Sequence, residues 1–227
     1  MLGAGRKLLA FDLDGTLVDS VPGIVETVNA VLSEHGRPPA PAAELAALIG
    51  LPLETFWERF APAGPDERLV LWPAYTERYR AIYRETAIPA TTLFPGVRET
   101  ILALAERFIL TIASSKITPV SAAVLAQVDL LAPFSLLMGN DRVSQPKPHR
   151  EMLDLTLAHF GLSAAQALMI GDTTHDIDLG RAAGVATVAV QTGSHEYATL
   201  EAARPDALIG TLDELFDLLK EDADAAI

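Results

Sequence analysis

Apolar positions in this chain follow two rhythms. Leu8-Leu9-Ala10-Phe11 is an unbroken apolar run, the pattern of a strand covered on both faces of a parallel sheet. After it the rhythm becomes helical. Pro22 stands near a helix start, and Ile24, Val25, Val28, Val31 and Leu32 recur at helical spacing until Gly36 stops the run. Pro38, Pro39 and Pro41 then break the chain, and a short helix is predicted through Glu44 to Ile49. Gly50-Leu51-Pro52 turns into a third helix near Glu54 to Phe60, and a break at Ala61 to Pro65 precedes a fourth from about Pro65 to Arg84. Leu69, Leu71, Trp72, Tyr75, Tyr79, Ile82 and Tyr83 lie on that last helix.

From Gly96 onward strands and helices alternate. Helices are predicted at Gly96 to Arg107, Pro119 to Val128, His149 to Phe160, Asp176 to Ala183 and Leu212 to Leu219. Strands are predicted at Phe108 to Ala113, Phe134 to Met138, Ala167 to Ile170, Ala186 to Val190 and Ala207 to Ile209. This repetition implies an α/β fold with a doubly wound parallel sheet, into which the helices after the first strand are inserted as an all-helical unit. The expected division is a core of residues 1–17 and 92–227 and a helical cap of residues 18–91. Gly3-Ala4-Gly5 precedes a strand instead of following one, so it is no dinucleotide fingerprint. The acidic run Glu221-Asp222-Ala223-Asp224 is expected to be frayed and solvated.

Composition narrows the chemistry. Half of the 227 residues are hydrophobic, ample for a buried core. The chain has no cysteine, which excludes disulfides, thiolate catalysis and cysteine-held metals, so any metal must be bound by oxygen or imidazole. A net charge of −13 and a pI near 4.7 argue against a nucleic-acid partner, which would need a basic footprint. No apolar run reaches the length of a membrane span, and Met1 to Lys7 lacks the apolar stretch of a signal peptide. The expectation is therefore a cytoplasmic protein without a membrane partner, monomeric or homodimeric.

The apolar runs end on polar residues at the edge of a parallel sheet where ligands bind. The first strand delivers Asp12 and Asp14, followed by Gly15-Thr16-Leu17-Val18-Asp19. The strand ending at Ala113 runs into Ser114-Ser115-Lys116, and the one ending at Ile170 into Gly171-Asp172-Thr173-Thr174-His175-Asp176. Pro146-Lys147-Pro148 lies between them, just before a helix. Taken singly, each has a plainer use: Asp14-Gly15 as a turn, Ser114 or Ser115 as a helix cap, Lys147 as a surface-loop lysine, and Asp172 or Thr173 as an N-cap with Asp176 on the helix dipole. As a set, Asp12, Ser114, Lys147 and Asp172 suit phosphoryl transfer. One carboxylate can attack phosphorus, a second can move the proton, and a lysine with an oxygen-held Mg²⁺ can balance the charge.

In order and spacing these segments resemble the four motifs of the haloacid dehalogenase-like (HAD) phosphohydrolases. Phe11-Asp12-Leu13-Asp14-Gly15-Thr16 looks like the first, Ile112-Ala113-Ser114-Ser115-Lys116 the second, Lys147-Pro148 the third and Gly171-Asp172-Thr173-Thr174-His175-Asp176 the fourth. One departure is His149-Arg150 after Lys147-Pro148, where His-Pro or Asp-Pro is commoner. The resemblance implies an HAD-like core with Asp12 as nucleophile and Mg²⁺ ligand. It implies that Asp14 is the general acid/base and offers its backbone carbonyl to the metal, and that Asp172 is a further Mg²⁺ ligand. It also implies Ser114, Ser115 and Lys147 as phosphate-binding residues and Asp176 as a support behind the site. The helical insert resembles the cap of the subfamily containing phosphoglycolate phosphatase and β-phosphoglucomutase. Gly50, Leu51, Pro52, Leu53 and Arg80 are the candidates for cap residues that read the leaving group. The implied activity is a Mg²⁺-dependent phosphatase acting on a small phosphorylated metabolite, phosphoglycolate being the first to try. A phosphomutase shares the same core residues, a dehalogenase would not need Asp14, and a binding domain on the same fold is the non-catalytic alternative.

Overall fold

The computed structural model describes residue 2 and residues 5–220, so Gly3, Ala4 and the acidic run at 221–224 lie outside the described residues. Leu8–Phe11 forms β1, buried along its whole length. Because its side chains alternate, Leu9 and Phe11 enter one apolar core and Leu8 and Ala10 another. Both faces of the strand are covered, as its uninterrupted apolar sequence requires.

Two short strands that periodicity could not reveal follow. Val18–Asp19 (β2) pairs antiparallel with Thr92–Leu93 (β3), Val18 opposite Leu93 and Asp19 opposite Thr92. Between them run α1 (Val21–Glu34), α2 (Ala42–Ala46), α3 (Leu53–Phe60), α4 (Pro65–Ile82) and α5 (Ile88–Ala90). The helix predicted to run to Arg84 leaves α geometry after Ile82 and continues as a π-helical turn at Tyr83–Ala87. This helical segment is held by aromatic side chains. Trp57 is fully buried, meets Tyr75 and Tyr79 edge-on, and donates from Nε1 to Thr76 Oγ1 at 2.8 Å, which satisfies its one polar atom.

The remainder is α6 (Val97–Ala105), β4 (Ile109–Ala113), α7 (Thr118–Gln127), β5 (Phe134–Met138), α8 (Glu151–Phe160), β6 (Ala167–Gly171), α9 (Thr174–Ala183), β7 (Ala186–Val190), α10 (Tyr197–Ala202), β8 (Ala207–Ile209) and α11 (Leu215–Leu218). The sequence did not announce α10, a short helix between two strands, and the single helix predicted over Leu212 to Leu219 is a 3₁₀ turn followed by α11. Six strands form one parallel sheet in the order β5-β4-β1-β6-β7-β8. Val97, Ile101, Val124 and Leu125 from α6 and α7 cover one face, while Met152, Leu153, Leu157 and Leu179 from α8 and α9 cover the other. The chain therefore builds outward from β1 in one direction and then in the other. The crevice at the carboxyl end of β1 is the point where strand order reverses, the place where such sheets bind ligands.

Candidate active site

Asp12 follows β1 directly, and its backbone N–H donates to Ile170 O of the neighbouring β6 at 2.8 Å. Its side chain is 3% exposed and accepts a hydrogen bond from Lys147 Nζ at 2.9 Å. Lys147 Nζ also donates to Asp176 Oδ1 at 2.6 Å. The lysine between two prolines is thus not a surface residue: it is 2% exposed and bridges the ends of two elements far apart in sequence. Burial would lower its pKa, but Asp12 and Asp176 together hold it above the ordinary lysine value, so it stays charged.

Asp172, at the end of β6, is fully buried. Thr16 Oγ1 donates to Oδ1 and the Ser194 backbone N–H to Oδ2, each at 2.8 Å. The carboxylate lies between two glycines. A Cβ at Gly15, whose φ is +81°, would lie 2.3 Å from Asp172 Oδ2, and one at Gly193 would lie 1.9 Å from it. Only residues without a side chain let both loops close on this acid. Thr173, not Asp172, is the N-cap of α9, and Asp176 reaches back to accept from its backbone N–H at 3.1 Å and its Oγ1 at 2.7 Å.

One carboxylate oxygen from each of Asp12, Asp172 and Asp176 can be chosen so that all three lie within 4.8 Å of one another. Three buried acids against one lysine leave an excess of negative charge. Burial, opposed by Lys147 and assisted by Asp176 and Asp14, pushes the Asp12 carboxyl up to about 7. Burial and the charges of Asp12 and Asp176 raise Asp172 well above the usual carboxylate range. The cluster therefore suits a hard divalent cation, whose charge would offset what the protein leaves uncompensated.

Asp14 points elsewhere. Ser20 Oγ donates to its Oδ1, and Lys116 Nζ forms a 2.8 Å ion pair with its Oδ2. The Lys116 ammonium also lies 4.6 Å from the centroid of the Tyr83 ring. Asp14 therefore stands outside the carboxylate cluster, in which Asp176 takes part instead, and only its backbone remains for a metal. Ser114 is 1% exposed, and its Oγ accepts from the Lys116 backbone N–H at 3.2 Å. Ser115 Oγ donates to Gly50 O, tying the end of β4 to the helical segment. Neither serine caps α7: that helix starts at Thr118, whose N–H and Oγ1 both donate to Asp141 Oδ1.

A cavity of about 540 Å³ opens from Asp12 and Asp14 toward the helical segment. Gly50, Leu51, Pro52, Leu53 and Arg80 all line it. Arg80 is half-buried and forms no ion pair with any described residue. Gly50 takes φ +95°, and a Cβ there would sit 3.5 Å from Thr173 and His175, so this turn seats closely on the fourth motif. Asn140 also lines the cavity, with a buried side-chain oxygen that has no partner among the described residues. Sequence reasoning passed over Thr16, Ser20, Lys116, Asn140 and Ser194. Lys116, Asn140 and Ser194 had a usable signal, because each lies in the loop after a strand of the sheet, at its carboxyl end.

Residues 9–190 match the haloacid dehalogenase-like hydrolase family. "Probable phosphatase IndB" of Dickeya dadantii is 37% identical over 214 residues, covering 92% of each chain. The phosphoglycolate phosphatase of Pectobacterium atrosepticum is 32% identical over 213 residues, 93% of this chain and 91% of that one. A solved structure described as a predicted phosphoglycolate phosphatase from Haemophilus somnus superposes with a TM-score of 0.86 at 26% identity, over 96% of this chain and 99% of that one. The chain belongs to the haloacid dehalogenase-like hydrolases. Its full-length relatives place it among the phosphatases of that family.

Proposed function

We propose that the protein is a Mg²⁺-dependent phosphomonoesterase that works through an aspartyl-phosphate on Asp12. The observation that carries this reading is the convergence of Asp12, Lys147, Asp172 and Asp176, buried in one crevice, with Asp14 beside it. Asp12 and Asp172 are the acids that would hold Mg²⁺, together with the Asp14 backbone carbonyl. Asp176, already engaged by Lys147 and Thr173, positions the lysine. The bound metal would neutralise phosphoryl oxygens and orient them for in-line attack.

In the proposed reaction an Asp12 carboxylate oxygen bonds to phosphorus as the ester P–O bond breaks, and the departing alkoxide takes a proton from Asp14. Asp14 then takes a proton from water as its oxygen attacks phosphorus, the Asp12–phosphorus bond breaks, and inorganic phosphate leaves. Lys147 balances the charge on Asp12 throughout, and Ser114 hydrogen-bonds the phosphoryl oxygens. Ser115, which the sequence assigned to phosphate as well, has its hydroxyl on Gly50 here, so any contact it makes with phosphate comes from its backbone. Residues 18–91 act as a cap over a core of 1–17 and 92–227. The β2–β3 pair sets the two connections side by side, Val18–Asp19 opening the cap and Thr92–Leu93 opening the returning core.

Metal binding is tested by thermal melting. Because the folded pKa of Asp12 lies near 7 and the ordinary value is 3.8, the metal-free folded protein holds a proton in that window that the unfolded chain lacks. This group therefore makes the metal-free protein lose stability as pH rises through the window. Mg²⁺ needs the ionised form. At pH 7.5 and constant ionic strength, Mg²⁺ at about 100 times its Kd should stabilise by about 2.7 kcal/mol, a Tm rise of about 5–10 °C. The rise should shrink toward pH 5 and disappear in Asp172→Asn. An equal rise at both pH values would count against these acids as the ligands.

Leaving-group recognition is tested at Arg80, a cavity cation with no ion pair among the described residues. Phosphoglycolate, the substrate in the names of several relatives, is the reference compound. Arg80→Ala should lower kcat/KM for it by about tenfold to a hundredfold more than for a neutral aryl phosphate, the worth of one charge-assisted hydrogen bond. Equal losses on both would leave Arg80 a structural role only.

A further inference from the structure

We infer that the preferred substrate carries a leaving alcohol with a bulky, largely apolar body, considerably larger than glycolate. The inference rests on the phosphatase reading above and concerns the space into which the alcohol would project. That space, about 540 Å³, is partly open to solvent and far larger than a glycolate group needs. Its reactive end is polar, with Asp12 and Asp14, but its walls are mainly hydrocarbon and aromatic: Ile24, Ile49, Phe56, Tyr79, Val120 and Val143 come from both the helical segment and the sheet side.

Two contacts hold the helical segment against the sheet side at one edge of this volume. Ser115 Oγ reaches Gly50 O across the two sides, and the Gly50 turn rests close to Thr173 and His175. The helical segment is thus already seated on the sheet, and the cavity remains beneath it. Moreover, several wall residues are rigidly placed. Ile24, Ile49, Phe56 and Tyr79 are each less than a tenth exposed, and Tyr79 stacks on Tyr83 with ring centroids 5.5 Å apart. Phosphoglycolate would leave most of the apolar wall in contact with water, an unfavourable arrangement that an apolar body laid against it removes.

The charge distribution points the same way. Of the two cations lining the cavity among the described residues, Lys116 is engaged by Asp14, which leaves Arg80 to meet an anionic leaving group, and Glu54 and Asp141 line the same cavity. With the phosphoryl charge met by Lys147 and the metal, a carboxylate on the leaving group would find a single cation without an ion pair among the described residues, Arg80, in a wall that is mainly hydrocarbon. A larger apolar alcohol makes use of what the cavity actually offers.

The experiment compares kcat/KM, with Mg²⁺ present, for ethyl phosphate, 2-phenylethyl phosphate and phosphoglycolate. The two alkyl esters have leaving alcohols of similar basicity, so their difference reports binding in the cavity and not leaving-group chemistry. The 2-phenylethyl ester should exceed both others by at least about tenfold, since even one methylene in a fitting apolar pocket is worth about 10–200-fold. Val120→Trp, which fills the cavity from α7, should reduce the ratio of 2-phenylethyl to ethyl phosphate by about tenfold or more. Leu51→Trp, built on the opposite side, serves as a second variant, and both are checked for folding by circular dichroism. Equal rates on the two alkyl esters, a preference for phosphoglycolate, or a ratio unmoved in both folded variants would overturn the inference while leaving the phosphatase reading intact. No phosphate release from any ester would remove that reading and the inference with it.

Discussion

Asp12→Asn should abolish Mg²⁺-dependent phosphate release while leaving the protein as stable as before or more so. The amide has nearly the shape of the carboxylate, and its oxygen can still accept from Lys147. It cannot, however, act as the attacking carboxylate, and if Asp12 is the nucleophile proposed above its removal should cost about 10⁴-fold or more in kcat. Stability should move in the other direction because the buried carboxylate is the costly form. Burial raises the Asp12 pKa to about 7, so above that pH the folded protein carries an ionised group that its surroundings resist. A neutral amide removes that penalty, and the Tm at pH 8 without metal should be equal to or above that of the wild type. An active site that lowers the stability of its own fold is an expected trade. Phosphate release and melting curves on the same preparations check both halves. Retained Mg²⁺-dependent turnover would show that the nucleophile is another group.

The placement of this site was legible in the sequence wherever a strand delivered it. Apolar runs that stop before Asp12, Ser114 and Asp172 mark three strand ends on the ligand edge of a parallel sheet, and the sheet order β4-β1-β6 puts them side by side. Lys147 was legible only through its register with those motifs, since nothing local in Pro146-Lys147-Pro148 distinguishes a buried lysine from an exposed one. What the sequence could not convey were contacts made by long side chains or by loops distant in the chain. Lys116 stood in the right loop, yet its reach to Asp14 depends on the path of a flexible side chain. Ser194 donates its N–H to Asp172 because β7 lies next to β6, a matter of strand order. The β2–β3 pair was missed for a different reason. Two residues per strand are too few to show alternation, and the pairing partners are separated by the whole helical segment.

The same burial that raises Asp12 makes the loss of Lys147 costly to stability. Its ammonium is bonded to Asp12 and Asp176 at 2.9 and 2.6 Å, with 1% of its side chain exposed. Lys147→Met keeps much of the side-chain volume and removes the charge, so the effect reported is electrostatic and not a cavity. Breaking a buried pair by deleting one partner costs about 3–5 kcal/mol, because the remaining charges lose their compensation. For a chain of this length that is a Tm loss of about 6–20 °C. The sign of the pH dependence follows. Without the lysine the folded pKa of Asp12 should rise further above its unfolded value, so the variant should hold its proton to higher pH and lose stability more steeply than the wild type as pH increases toward 8. At pH 5, where Asp12 is protonated in both proteins, part of the difference should vanish. Activity should fall at neutral pH by about 10³-fold or more, since Asp12 would be protonated and the charge on the phosphoryl group unbalanced. Its remaining pH profile should shift to the alkaline side. Melting curves from pH 5 to 8 with parallel kcat/KM measurements decide the matter. A Tm difference that is constant with pH would mean that Lys147 contributes packing alone, and an unshifted pH profile would separate it from the ionisation of Asp12.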